Sequence, residues 1–378
     1  MNRMIVCGMV SILLGGVLSV DGAPPAARLA DGGRARWPVT IGSNASPRVR
    51  AAAATLADYL GRISGAAFEV RTGEGDGGVV LGRPDDFSAC PVKVEFDGGP
   101  FGRETYRLLS GKRGLWMLGA SDLAVEHAVW DLLYRLGYRQ FFPSPAWEVV
   151  PRVERLEVAV DVLEQPAFHA RRIWYNWGFW GYNNTAYRQW CERNRMAQGF
   201  QLNSGHAYQT IVGANRQAFQ EHPEYLALVG GQRRTGGDAK FCVSQPGLRA
   251  LVVEHAVRHF RAHPEADSIS MDPSDGGGWC ECEDCAAMGS PSDRALTLAN
   301  AVAEAVNGLG LGAKYVGMYA YNFHAPPPSI PVHSNVIISA TTSFITGGFT
   351  LDQIVDGWKA RGATMGIYDY YSVVVWDW

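Results

Sequence analysis

Three acidic side chains follow one predicted strand closely enough to form a catalytic site. The strand is predicted over 268–272, where Asp272 ends it, and Asp275 and Glu281 come shortly after. Hydrolysis of a glycosidic bond needs one group that protonates the leaving oxygen and a second that attacks or stabilises the anomeric carbon, and carboxylates fill both roles. We therefore predict Asp275 as the catalytic acid, with Asp272 and Glu281 as the other catalytic candidates. The alternative is that Asp272 and Asp275 only bond backbone amides in a turn.

Polar and aromatic residues near the ends of other predicted strands are candidates for binding a sugar. Side chains such as His, Asn and Asp pair with the hydroxyl and amide groups of a glycan, while aromatic rings cover the apolar face of a sugar. Packing inside the protein is the alternative for each of them. The predicted substrate-binding residues are His206, Asn203, Trp174, Trp177, Tyr321, Asn322 and Asp369.

Four cysteines are expected to meet near the same strand end. Cys280, Cys282 and Cys285 form a C-x-C-x-x-C pattern, and Cys242 is expected to emerge on the same face. In an exported protein two disulfides are the simpler interpretation, and a structural metal site and free thiols are the alternatives. Because four thiolates leave no open coordination position, we expect no catalytic metal, and we expect no cofactor.

The elements that must position these residues fall into two patterns. From 37 to 151 the order strand, helix, strand, hairpin, helix predicts a small α/β domain, with one helix that begins at Pro47 after the cap Ser46 and ends at Gly65. From 166 to 378 strands alternate with helices, which predicts a (β/α)8 TIM-type barrel with a mainly parallel sheet. Strands are predicted there over 170–175, 199–203, 268–272, 315–321, 336–341 and 365–370, and helices over 247–262 and 292–307.

The region of alternating strands and helices is shorter than a complete barrel. About 213 residues run from Pro166 to the last residue, whereas eight strand–helix units need about 250. The sequence ends in the apolar run 373–376. We therefore expect the barrel to be incomplete at its C-terminus.

The first residues predict export. Arg3 precedes an uncharged, mostly apolar run over 4–20 with small residues up to Ala23, a pattern typical of a signal peptide over 1–23. We expect a secreted or periplasmic protein with no stable membrane span after cleavage, and a retained anchor is the alternative. Lys plus Arg total 34 against 37 Asp plus Glu, a net charge of -3. Since no basic cluster is present, we expect no nucleic-acid partner.

Several stretches of the sequence resemble known families. The N-terminal domain of β-hexosaminidases and α-glucuronidases is similar to "LADYLGRISG" (56–65), "VVLGRP" (79–84) and "LWMLGASDLAVEHAVWDLLYRLGYRQFFP" (115–143). The second region resembles domain-of-unknown-function family 4838, which includes glycoside hydrolase family 163, in "GHAY" (205–208), "HPEYLALVGGQRR" (222–234), "KFCVSQP" (240–246) and "SISMDPSDGGGWCECEDC" (268–285). The resemblance implies an endo-β-N-acetylglucosaminidase-like enzyme.

Three functional hypotheses are therefore open. The leading one is an exported retaining glycoside hydrolase for N-acetylhexosamine-containing glycans, in which the substrate's acetamido carbonyl is the nucleophile. An α-glucuronidase-like hydrolase would need a cation for the sugar carboxylate, and Arg171, Arg172 and Arg188 are available. A non-catalytic carbohydrate-binding protein would hold a glycan through aromatic rings without paired carboxylates.

Overall fold

Two regions of mixed helix and sheet make up the structure, a computed structural model that describes residues 24–173, 184–236 and 238–370. The predicted signal peptide lies outside these residues. In the first region the helices are Pro47–Ser64 (α1) and Asp122–Arg135 (α2). Its strands are Ala27–Asp31 (β1), Arg34–Ala35 (β2), Val39–Ile41 (β3), Val70–Thr72 (β4), Gly78–Gly82 (β5), Tyr106–Gly111 (β6), Gly114–Gly119 (β7), Arg139–Gln140 (β8), Glu148–Val149 (β9), Arg155–Val158 (β10) and Asp161–Glu164 (β11).

A six-stranded sheet covered by α1 and α2 is the centre of the first region. Its order is β11-β6-β7-β5-β3-β4, and β10-β1-β2 forms a smaller sheet beside it. The predicted helix ends are confirmed, because Ser46 accepts a hydrogen bond from the amide of Val49 at 3.2 Å and Gly65 has the left-handed φ of 74° that suits glycine. The sheets extend on both sides of the range 37–151, since β1, β10 and β11 lie outside it.

The second region is built on four parallel strands. Its helices are Asn184–Arg193 (α3), Tyr208–Ala214 (α4), Arg216–Glu221 (α5), Pro246–Ala262 (α6), Glu283–Ala287 (α7), Pro291–Asn307 (α8) and Leu351–Lys359 (α9). Its strands are Leu228–Val229 (β12), Gln232–Arg233 (β13), Ser268–Ser270 (β14), Tyr315–Asn322 (β15), Val336–Ile345 (β16) and Thr364–Tyr368 (β17). The sheet order β14-β15-β16-β17 follows the sequence, and each neighbouring pair is parallel. All four strands therefore end at the same edge, as the predicted barrel requires.

The segment 199–203 lies beside β14 without joining it as a regular strand, which differs from the prediction. Its amides bond to side chains, as when the amide of Asn203 donates to Ser268 Oγ at 2.6 Å. On its other side it touches β15, because a Cβ atom on Gly317 would lie 2.1 Å from the carbonyl oxygen of Asn203. This close approach needs glycine at position 317, and it holds Asn203 against β15.

Three further elements differ from the predicted pattern. No helix joins β15 to β16, since the connection contains Pro326, Pro327 and Pro328, which cannot continue a helix. Helix α9 was not predicted, although Thr350 and Gln353 form a capping box at its start. Residues 170–173 of the predicted strand 170–175 are not in a strand, and the rest of it lies outside the described residues.

Buried acidic side chains of the first region bond to the chain that follows it. Glu104 is 2% exposed, and its carboxylate accepts hydrogen bonds from the guanidinium of Arg171 and, at 2.8 Å, from the amide of Gly199. Asp131 is 3% exposed and pairs with Arg195 at 2.8 Å. These bonds hold the start of the second region against the first.

Among the described helices, none combines the length and the apolar composition that crossing a bilayer requires.

Candidate functional site

Asp275 lies at the common edge where the parallel strands end, on the loop after β14. It is exposed, and its Oδ1 accepts a hydrogen bond from the hydroxyl of Tyr321 at 2.9 Å and from the amide of Gly276 at 2.7 Å. Burial raises the pKa of Asp275, but the bonds from Gly276 and Tyr321, together with nearby positive charge, outweigh burial, so that the pKa lies below its usual value. Asp275 is therefore a carboxylate at neutral pH. A general acid must carry a proton, so this state favours an electrostatic or orienting role over the predicted acid role.

A buried lysine forms hydrogen bonds with the loop that carries Asp275. Lys240 is 1% exposed, and its Nζ donates hydrogen bonds to the carbonyl oxygens of Ser274 and, at 2.6 Å, of Asp275. Burial lowers the pKa of Lys240 to about 8, against the attraction of Asp275 and Asp238. Sequence reasoning missed this residue, and its only signal is a lysine beside the apolar run Phe241-Cys242-Val243.

Asp272 occupies a closed position that substrate does not reach. It is 1% exposed, and its two carboxylate oxygens accept hydrogen bonds from the amides of Gly205 and Tyr319, with Ser270 Oγ also donating at 3.2 Å. Complete burial raises the pKa of Asp272 to about 6, although the two amides and the Ser270 hydroxyl act in the opposite direction. Its geometry matches the alternative interpretation of a carboxylate that joins backbone segments rather than the predicted catalytic one.

Glu281 does not take part in the hydrogen bonds around Asp275, because its own hydrogen bonds are to a neighbouring hairpin. Its Oε2 accepts from the amide of Gly230 at 2.7 Å, and its amide donates to the carbonyl of Leu228 at 2.8 Å. Both partners belong to the β12–β13 hairpin and its turn. The structure thus assigns Glu281 to the hairpin that borders the cysteines and does not bring it to the predicted acid pair.

Two predicted sugar ligands lie on the segment next to β14. His206 is exposed, and its Nδ1 donates to the carbonyl of Pro273 at 2.9 Å, since a carbonyl only accepts. The ring centroids of His206 and Tyr321 are 6.3 Å apart, which places the imidazole next to the Asp275 contacts. Asn203 donates through Nδ2 to the carbonyl of Ser268 at 2.8 Å. His206 is thus beside Asp275, while one face of Asn203 is used to hold the chain in place.

A cavity of about 640 Å³ opens at the strand ends, and Asn203, Tyr319 and Asp369 line it together with Arg172 and Tyr368. Asp369 follows β17, is exposed, and accepts a hydrogen bond from Thr342 Oγ1 at 2.6 Å. The volume suits one or two sugar rings, because small-molecule pockets start at about 300 Å³. The cavity is therefore a candidate place for a glycan.

Exposed aromatic rings connect Asp275 to this cavity. Phe344 is 51% exposed and has a φ of 60°, a conformation that bulky residues seldom adopt and that is concentrated at functional sites. Its ring lies 5.8 Å from that of Tyr321 and 5.3 Å from that of Tyr370. Phe323 is 47% exposed and lies under Gly277, where an added Cβ would be 3.5 Å from its ring. Both phenylalanines were missed, because exposure and backbone strain leave no periodic signal in a sequence.

The remaining predicted contacts have mixed outcomes. Asn322 ends β15 with a φ of 50°, which asparagine tolerates, and its carbonyl accepts from Thr346 Oγ1 at 2.8 Å. Tyr321 contacts Asp275 as described above. Trp174 and Trp177 lie outside the described residues.

The four predicted cysteines do meet. The Sγ atoms of Cys242, Cys280, Cys282 and Cys285 all lie within 4.8 Å of one another. All four are free cysteines in the structure, and the two disulfides that the sequence favoured stay a prediction. The hairpin β12–β13 packs over them, so the group is mostly buried.

Two comparisons with known proteins concern the sequence of the chain. The family described as "Domain of unknown function (DUF4838)" matches residues 142–374. No protein of curated function matches the chain in sequence.

Solved structures similar to the chain include glycosidases. A family GH115 4-O-methyl-α-glucuronidase, BtGH115A, with specificity for decorated arabinogalactans, has 12% sequence identity and a TM-score of 0.52, covering 91% of this chain and 55% of that chain. The Streptomyces plicatus N-acetyl-β-hexosaminidase in complex with Thio-NAglucal has 17% identity and a TM-score of 0.41, covering 92% and 71%. The Streptomyces coelicolor GH20 β-N-acetylhexosaminidase has 14% identity and a TM-score of 0.45, covering 92% and 72%. With the likeness to BtGH115A, the predicted α/β fold class is confirmed as a glycosidase-like fold.

Proposed function

Since this chain belongs to the DUF4838 family, we propose that it is a glycoside hydrolase that acts on glycans containing N-acetylhexosamine. The observation that carries the proposal is the state of Asp275, an exposed carboxylate that Tyr321 and Gly276 keep ionised at the carboxyl edge of a parallel sheet. Active sites of barrel enzymes occupy this edge. An ionised carboxylate suits the orientation of an acetamido group, whereas it does not suit protonation of a leaving group.

The proposed reaction uses the substrate's own acetamido group. Asp275 accepts the acetamido N–H and stabilises the positive charge that develops as the carbonyl oxygen attacks the anomeric carbon. The bond to the leaving oxygen breaks, and that oxygen takes a proton from an acid. Water gives a proton back to that acid as its oxygen attacks the anomeric carbon and opens the cyclic intermediate, so that the product keeps the starting anomeric configuration. Asp369, on the wall of the cavity, would bind a hydroxyl group of the sugar.

The exposed aromatic rings would supply the apolar contacts of this site. Phe344 and Phe323 flank Asp275, and sugar rings pack their C–H faces on aromatic surfaces. His206 Nε2 points away from its bond to Pro273 and would pair with a hydroxyl group. This arrangement would hold the acetamido-bearing sugar between Asp275 and the cavity.

An α-glucuronidase-like activity has one supporting observation, which is Arg172 on the cavity wall. A guanidinium group pairs with the carboxylate of a uronic acid through two parallel hydrogen bonds. Arg171 is less suited to this task, because it bonds Glu104 and the carbonyl of Ala197.

A substrate panel tests the proposal. The intact protein is incubated with an aryl N-acetyl-β-glucosaminide, an N-glycan and an aryl glucuronide, and the released sugar and its initial anomeric configuration are measured by chromatography and NMR. We expect release from an N-acetylhexosamine-containing substrate with retention. Release of uronic acid alone would favour the glucuronidase, and calorimetric binding of a glycan without any release would identify a carbohydrate-binding protein.

Tyr321→Phe is expected to move the acid limb of the pH–rate profile to higher pH. The hydroxyl of Tyr321 is one of the two donors that keep the pKa of Asp275 low, so its removal raises that pKa and protonates the carboxylate earlier as the pH falls. The measurement is kcat/KM from pH 4 to 8. Tyr134→Phe is the control, because Tyr134 is exposed on α2, in the first region. An acid limb that stays in place would mean that Asp275 does not control the rate.

A further inference from the structure

We propose that Cys242, Cys280, Cys282 and Cys285 bind one structural zinc ion. Their Sγ atoms converge from two separate stretches of chain and all lie within 4.8 Å of one another. Zinc is the ion that proteins most often hold with four thiolates in a tetrahedron. The inference is independent of the proposed hydrolase activity.

The spacing of the sulfur atoms fits a tetrahedron around zinc. A Zn–S bond of about 2.3 Å places the sulfurs of a regular tetrahedron about 3.8 Å apart. The distance from Cys242 Sγ is 3.6 Å to Cys282 Sγ and 3.8 Å to Cys285 Sγ, while Cys280 and Cys282 are 3.4 Å apart. A single ion therefore fits among the four with little movement.

The same spacing disfavours two disulfides. The two sulfurs of a disulfide lie about 2.05 Å apart, and two separate disulfides would not have to stay close to each other. Here Cys242 has nearly equal distances to two partners, and Cys282 likewise lies close to both Cys242 and Cys280. Each sulfur is thus shared among several neighbours, as in a common coordination shell, and none is committed to one partner.

The surroundings supply the hydrogen bonds and the charge that a zinc–thiolate group needs. The amide of Leu228 donates to Cys280 Sγ at 3.3 Å, and the amide of Ser244 donates to Cys285 Sγ at 3.5 Å. Four thiolates around Zn²⁺ carry a net charge of about -2. The guanidinium of Arg233 is close enough to Cys242, Cys280 and Cys282 to interact with their charge, and it would offset part of it.

The ion would be structural because its shell is complete. All four positions are protein sulfurs, and Ala227 and the strand β12 cover them, so no site is left for water or substrate. The ligands lie on the stretch after α5 and on the loop between β14 and α8. The ion would thereby join the segment after the β12–β13 hairpin to the loop that carries Asp275.

Metal analysis of the intact protein tests the proposal. The protein is purified without chelator or reductant, zinc is measured by mass spectrometry, and thiols are counted in denaturant. We expect about one zinc per chain, and a mercurial reagent should release it in step with the titration of four thiols. X-ray absorption should show four sulfur neighbours at about 2.3 Å. Loss of four thiols to oxidation without zinc, or free thiols with no bound metal, would overturn the proposal.

A pair of variants locates the ion. Cys285→Ser is expected to lower the bound zinc to well under half of the wild-type amount, whereas Cys191→Ser should retain it, because Cys191 lies on α3 outside the cluster. Cobalt substitution of the wild-type protein keeps the test decisive if Cys285→Ser does not fold. A strong sulfur-to-cobalt charge-transfer band supports the site, and a spectrum of cobalt bound only by oxygen or nitrogen contradicts it.

Discussion

Asp275→Asn is expected to lower kcat on an N-acetylhexosaminide on the order of 10²- to 10³-fold, the range seen when one preorganised charge-stabilising group is lost. Asparagine has nearly the same shape and still accepts a hydrogen bond from Tyr321. It lacks the negative charge that would stabilise the developing positive charge of the acetamido ring. The measurement is the steady-state rate of sugar release, and KM should change less than kcat, because the charge acts mainly in the transition state.

Two controls separate this effect from a loss of folding. Asp356→Asn removes an exposed carboxylate on α9, away from the strand ends, and should leave kcat unchanged. The thermal unfolding of Asp275→Asn should match that of the wild type, because Asp275 is exposed. If this variant hydrolyses its substrate at the wild-type rate, the catalytic carboxylate lies elsewhere.

Asp272→Ala is expected to reduce the free energy of unfolding by about 2–4 kcal/mol, because it leaves buried amides without acceptors, at about 1–3 kcal/mol each. The amides are those of Gly205 and Tyr319, which come from the segment beside β14 and from β15. The substitution also removes the cost of burying a charge, the same cost that raises the pKa of Asp272 to about 6. This gain limits the loss of stability. Urea denaturation measures the difference, and a variant as stable as the wild type would contradict this role.

The same substitution should be more damaging at pH 5 than at pH 7. The pKa of Asp272 is about 6 in the folded protein, above its usual value of 3.8. A group with a raised folded pKa contributes stability that is fully present below its unfolded pKa and is lost as the pH rises through the folded pKa. The wild type therefore loses this contribution between about pH 4 and 6, and the variant does not. Gln220→Ala, which removes an exposed and uncharged side chain of α5, should show no such pH dependence.

The long, strongly patterned elements could be predicted because their signals are local. Helix α1 carries its cap, its opening proline and its closing glycine in one stretch, and β15 and β16 are strands of eight and ten residues rich in β-branched and aromatic side chains. The short strands β1, β10 and β11 were missed, because strands of four or five residues gain their stability from pairing partners far away in sequence. The segment 199–203 has strand-like composition, but side chains of its neighbours take its hydrogen bonds.

The candidate site likewise has features that could be predicted from the sequence and features that depend on the fold. Asp275 could be predicted because an acid after a strand and before three glycines is visible in the sequence. The roles of Lys240 and Phe344 depend on which loops fold over them, and the closed position of Asp272 depends on amides from two other segments. The convergence of the cysteines could be predicted from their spacing, whereas the distances between their sulfurs could not.

The bond between Glu104 and Arg171 bears on how the molecule can be divided. Because Glu104 is buried in the first region and its cation belongs to the second, cutting the chain between them would leave a carboxylate inside a protein core with no counter-charge. Asp131 would lose Arg195 and keep only Arg135, its partner on the same helix. Neither half is thus a self-sufficient module, and the two should melt together in a single cooperative transition. Swapping the N-terminal layer between relatives would require both partners of each ion pair to be moved at once.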